Sequence, residues 1–224
     1  IFTFKCKHMS TIIERYQKIK SNILDLNSPK SVNIVAISKT FPMSHIKPLL
    51  DFGHIHFGEN KVQEAKHKWT EVRKINTNFK LHMVGRLQSN KAKDAIKIFD
   101  YIHSLDSQKL ADTLSKNQNE TNKFLKYFIQ VNIGNELQKS GIPTTELEGF
   151  FNYCRNEKKL NIQGLMIIPP NDNNPIKYFD AINKLNSSLG LKELSMGMSS
   201  DYKEAIINNS TFIRVGSLIF GERT

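Results

Sequence analysis

The feature that most constrains this chain is a repeated alternation. Short runs rich in β-branched and aromatic residues recur along it, and stretches with helical spacing of apolar residues lie between them. The runs are "VNIVAIS" (32–38), "HIHFG" (54–58), "KLHMVG" (80–85), "YIHSLD" (101–106), "KYFIQVNIG" (126–134), "NIQGLMIIP" (161–169), "LSMGM" (194–198) and "FIRVGSLIF" (212–220). Helical stretches include "SHIKPLLDF", "NKVQEAKHKWTEVRK", "SQKLADTLSKNQ", "TELEGFFNYCRNE" and "PIKYFDAINKLNSSL", while "TIIERYQKIKSNILDL" precedes the first run. Strands that alternate with helices pair in parallel, because each helix returns the chain to the same end of the sheet. Eight such runs predict an α/β fold, a single-domain (β/α)8 TIM barrel with an extra N-terminal helix. An open doubly wound sheet is the alternative, but no G-x-G-x-x-G follows the first run.

At 224 residues and 39% apolar content the chain can bury a full core, and no Pro/Gly/Ser-rich linker divides it. Residues 1–224 are therefore read as one domain, with 1–9, which do not open on methionine, as a poorly ordered or extraneous end. No apolar run reaches the length of a membrane span, and "IFTFKCKH" is too short and polar for a signal peptide. A cytoplasmic protein without a membrane partner is expected. Cys6 and Cys154 stand far apart, outside any metal or disulfide spacing, and read as free thiols.

The net charge of +11 draws anions without choosing among them. Its lysines are interleaved with carboxylates, as in "KHKWTEVRK", so they read as solvated helix faces. With no finger, RNP or basic-arm motif, no specific nucleic-acid partner is expected.

A parallel barrel brings the residues that follow its strands to one face. These are Lys39; Gly58, Glu59 and Asn60; Gly85 to Lys91; Asn132; Met198, Ser199 and Ser200; then Arg214, Gly216 and Ser217. All are expected to face one pocket. A lysine against apolar neighbours loses solvation and favours its neutral amine, the form that condenses with an aldehyde. Glycines beside serines at loops that open helices suit a phosphate. Taken singly, a strand-end lysine meeting water, turn glycines and serine caps account for the same residues. Together they point to an aldehyde bearing a phosphate, and a cofactor-free class I aldolase remains a second reading of the lysine. His54 and His56 share one strand face, yet with no third ligand at a metal spacing they read as barrel packing, as do His82 and His103.

Eight segments carry a more specific signal: "AISKTFP", "HFGENKVQEA", "VGRLQSNK", "HSLD", "IQVNIGNELQKSGI", "GLMIIP", "LSMGMSSDYKEAI" and "RVGSLIFGER". In this order and spacing they resemble the pyridoxal phosphate homeostasis protein family, from about Ile34 to Arg223. The resemblance implies a fold-type III barrel similar to the N-terminal domain of alanine racemase, with pyridoxal 5'-phosphate (PLP) held as a Schiff base on Lys39. It further implies that Ser199, Gly216 and Ser217 hold the phosphate, with Met198 beside them, that Arg214 stands by the pyridine nitrogen, and that Asn60 lies near the cofactor. Arg86, Asn135, Leu137 and Gln138 depart from the pattern, and Lys139 reads as a loop lysine rather than a second anchor.

The implied role is PLP (vitamin B6) and amino-acid homeostasis by a monomer without strong catalysis, with no catalytic or metal residues assigned and PLP-dependent apo-enzymes as recipients. The alternative is a single-domain amino-acid racemase. Racemisation needs a base on each face of the α-carbon. Lys39 serves one face, and the chain ends at the close of its barrel, leaving Tyr101 or Tyr202 as the replacements to consider for the other.

Overall fold

The computed structural model describes residues 2–222 apart from Leu137 and Asn173, with side chains from Thr11 onward. The side chain of Cys6, together with Leu137 and Arg223, lies outside these described residues. The barrel strands are β1 (Asn33–Ile37), β2 (His56–Glu59), β3 (Lys80–Met83), β4 (Tyr101–Leu105), β5 (Lys126–Asn132), β6 (Asn161–Met166), β7 (Glu193–Ser195) and β8 (Phe212–Val215). Neighbours pair in parallel in the order β4-β3-β2-β1-β8-β7-β6-β5, and β5 pairs back to β4, which closes the barrel. A two-residue strand, Ile142–Pro143, adds to the edge of β5.

Around the barrel lie α1 (Phe2–Asp25), α2 (Met43–Asp51), α3 (Val62–Ile75), α4 (Ala92–Ile98), α5 (Gln108–Thr121), α6 (Leu147–Asn152), α7 (Pro175–Ser188), α8 (Tyr202–Ile207) and α9 (Ser217–Phe220). α6 continues into a π-helical turn, Tyr153–Glu157. No helix among the described residues is long and apolar enough to cross a membrane.

Successive strand side chains point to opposite faces, so each strand serves two cores. Val35, Ile37, Tyr101, Phe128, Met166 and Phe212 fill the barrel interior. Alternate positions such as Ile34, Phe57, Leu81 and Ile213 join the larger core beneath the helices. Trp69 of α3 is fully buried there between Phe57 and Phe79, at ring distances of 4.9 Å to each.

The last expected strand is corrected in its second half. The apolar run continues past Val215, but Ser217–Phe220 is the helical turn α9, because the backbone folds in at Gly216 and Phe220 N–H bonds Gly216 O at 2.9 Å. Cys154 is a buried free thiol whose pKa burial pushes up to about 12.

Candidate functional site

At the C-terminal mouth of the barrel lies a cavity of about 520 Å³. Its lining includes Lys39, Asn60, Met198, Ser199, Arg214, Gly216 and Ser217, all seven residues singled out as cofactor-binding, with Ser200 beside them. Sequence reasoning missed its apolar walls, Ile37, Phe41, Val84 and Ile168, and the rim residues Gly221 and Glu222. These side chains lie inside the matched segments, but apolar groups at strand ends carry no reactive chemistry that would single them out.

The expectation that every strand-end residue faces this cavity is corrected. Glu59 is fully buried and turns outward beneath α3, where it accepts from Ser38 Oγ at 2.7 Å and Trp69 Nε1 at 3.0 Å. Gly85, Arg86 and Asn132 line an adjoining cavity instead, together with Lys139. Lys139 there pairs with Glu136 and donates to Pro169 O at 3.3 Å. Gly85 is required where it stands, since a Cβ would come within 2.4 Å of Asn60 O and displace the loop that carries Asn60.

Lys39 is half-buried at the end of β1. The turn around it is held by a charged clamp. Lys68 of α3 donates to Ser38 O at 2.8 Å and Phe41 O at 3.2 Å, on either side of Lys39. The same ammonium pairs with Glu59 at 2.6 Å and Glu64 at 2.9 Å. Glu64 Oε1 also accepts the Thr40 N–H, and Thr40 sits at φ +70°, a left-handed conformation costly for a β-branched residue. Burial pushes the Glu59 carboxyl up against the opposing pull of Lys68. Burial also raises Glu64, but hydrogen bonds from Lys68 and Thr40 outweigh it and hold that carboxyl below its usual range. The i,i+4 spacing of Glu64 and Lys68 was the available sequence signal for this clamp.

Arg214 enters from β8 and is buried. Nη1 donates to Ser195 Oγ and Nη2 to Ile167 O, each at 2.8 Å, leaving further N–H donors for a ligand. Burial lowers its pKa to about 10, opposed by the charge of Asp201, so it remains a cation at neutral pH. Across the cavity, Ser217 Oγ and Ser199 Oγ lie 3.2 Å apart where α9 opens, and the first N–H groups of a helix have no intrahelical partner. Asp201 accepts the Met198 N–H at 2.6 Å and shapes the loop that carries Ser199.

Tyr101 and Tyr202, the replacements considered for a second base, do not line this cavity. Tyr101 stacks on His82 inside the barrel at 4.2 Å, and Tyr202 OH accepts from Asn22 of α1 at 3.0 Å. His54, His82 and His103 are buried, and His56 is partly so.

Residues 14–224 match the family described as alanine racemase, N-terminal domain. The pyridoxal phosphate homeostasis protein of Aquifex aeolicus is 34% identical over 97% of this chain and 98% of its own length. That of Escherichia coli K12 is 35% identical over 88% of each. Among solved structures, PipY of Synechococcus elongatus with PLP bound aligns at a TM-score of 0.84 and 34% identity, covering 94% of this chain and all of its own. An alanine racemase from Clostridium difficile aligns at 0.71 with 11% identity, a likeness of fold alone, and this chain covers 57% of it.

Proposed function

The chain belongs to the pyridoxal phosphate homeostasis protein family, built on the alanine racemase N-terminal domain, and on that premise we propose that it binds PLP at the C-terminal mouth of its barrel. The observation that carries the proposal is the donor set of a single cavity. An amine, a guanidinium with only N–H donors, and a pair of serine hydroxyls beside a helical turn match an aldehyde, a ring nitrogen and a phosphate. When bound, PLP supplies an aldehyde that condenses with an amine and a ring that can act as an electron sink.

Each protein group has a definite part in this reading. Lys39 supplies the amine, and the Lys68 clamp fixes the turn that carries it. Ser199, Gly216 and Ser217, with the opening N–H groups of α9, hold the phosphate, while Met198 and Asn60 complete the wall. Arg214 donates to the ring nitrogen and, holding its own proton, keeps that nitrogen unprotonated. An unprotonated ring is a weak electron sink, which suits a carrier better than a catalyst. The placement of Tyr101 and Tyr202 outside the cavity supports the same choice.

The role we assign is PLP homeostasis in the cytoplasm by a monomer that releases its cargo to PLP-dependent apo-enzymes. A spectrophotometric titration with PLP tests the reading. Wild type should develop a saturable visible band that Lys39→Ala lacks. An identical band in Lys39→Ala, or none in wild type, contradicts it.

A further inference from the structure

Beneath Arg214 a single file of polar side chains crosses the barrel. Ser195 Oγ lies 2.7 Å from His103 Nδ1, His103 Nε2 lies 2.8 Å from His82 Nδ1, and His82 Nε2 lies 2.9 Å from His56 Nδ1. The side chains come from β7, β4, β3 and β2 in turn. The file ends at His56, which lines a second cavity at the opposite mouth, beside Lys20, Lys30 and His54.

The chemistry of its upper end orients the whole file. A guanidinium only donates, so Ser195 Oγ accepts from Arg214 and has its own hydrogen to give. His103 Nδ1 is the acceptor in reach of that hydrogen among the described residues. His103 therefore carries its proton on Nε2 and donates to His82 Nδ1. The same step repeats from His82 Nε2 to His56 Nδ1. Every donor in the file points away from Arg214.

The surroundings keep these rings neutral and dry. His82 and His103 are fully buried, with Tyr101 stacked on the first and Phe128 on the second at 4.4 Å. Phe212 packs against all three imidazoles. Lys80 and Lys126 near His56 and Arg214 near His103 disfavour a further positive charge, and Asp100 near His56 offsets them only in part.

We propose that Ser195, His103, His82 and His56 form one tautomer-locked hydrogen-bonded file that positions Arg214 for the cofactor's ring nitrogen. The proposal rests on the reading of Arg214 given above. Ser195 and the histidines are positioning residues: they reach the ligand through the guanidinium, which their aligned dipoles hold in one orientation.

The test is NMR of the imidazole nitrogens in the full chain at neutral pH without PLP, then PLP titrations of wild type, Ser195→Ala and Ser195→Thr. All three imidazoles should be neutral and protonated on Nε2. In Ser195→Ala, His103 should keep its proton on Nε2 while its Nδ1 resonance loses the hydrogen-bonded shift, and the PLP dissociation constant should rise about tenfold, with Ser195→Thr restoring both. A charged ring or an Nδ1–H tautomer at any of the three in wild type overturns the file. Unchanged PLP affinity in Ser195→Ala overturns the positioning role. If wild type takes up no PLP the cofactor reading fails, and the positioning role fails with it, whereas the tautomers still decide the file.

Discussion

Two supports hold the two ends of the proposed cofactor site, and they are built from opposite materials. Lys39 stands on a charged clamp, in which Lys68 binds two carboxylates and two carbonyls between the barrel and α3. Arg214 stands on neutral groups, a serine and three imidazoles in the barrel interior. The clamp lies under a helix whose edge reaches solvent, and its outer carboxylate, Glu64, keeps some hydration while Lys68 and Glu59 are buried as a pair. Among the described residues no carboxylate bonds Arg214, which Asp201 meets only through its charge, and a second charge in the interior would carry a heavy desolvation cost. Burial therefore selects ion pairs in one place and neutral acceptors in the other.

Removing the cation should break the first support most severely. Lys68→Met leaves Glu59 buried without its counter-charge and should cost about 3–5 kcal/mol in urea unfolding. Adding Glu59→Leu should recover much of that loss, since removing both buried charges is often near neutral. A double variant as unstable as the single one would mean that the clamp acts by packing alone.

The neutral support should reveal itself in acid. Burial lowers His54 and His56 from 6.5 to about 4, and holds His82 and His103 well below the usual histidine range. The unfolded chain then takes up protons that the folded chain refuses. Stability is thus complete above the unfolded value near 6.5 and falls as pH drops toward about 4. Each such histidine adds a slope of up to ~1.4 kcal/mol per pH unit. The clamp carboxylates contribute with opposite signs in acid, because Glu59 is raised and Glu64 lowered. Urea midpoints that stay flat from pH 7 to about 5 would contradict the neutral file.

The smallest effect belongs to the strained turn. Thr40→Gly removes a β-branched residue from φ +70° and should stabilise the chain by about 1 kcal/mol in thermal unfolding. A loss instead would show that the Thr40 side chain offsets the strain.

The barrel was legible because β-branched runs recur between amphipathic stretches. That these residues share one cavity was legible because a parallel barrel gathers its strand ends, and because "AISKTFP" and "RVGS" place Lys39 and Arg214 there. α8, with six residues, is too short for its periodicity to announce it. Glu59 was misplaced because strand alternation turns it outward even though it follows Gly58 into the mouth. The histidine file needed strand register, which places Gly58 opposite His82 and His82 opposite Tyr101. Its one sequence trace is a histidine inside each of "HIHFG", "KLHMVG" and "YIHSLD".

The central claim is that the amine of Lys39, on the clamped turn, is the one that takes the cofactor. Borohydride reduction of the PLP-loaded protein, followed by peptide mass mapping, tests it most directly. The account predicts a pyridoxyl-phosphate mass increment on the peptide containing Lys39 and no comparable increment elsewhere. An increment on Lys139 or another lysine in place of Lys39, or none at all, would contradict it.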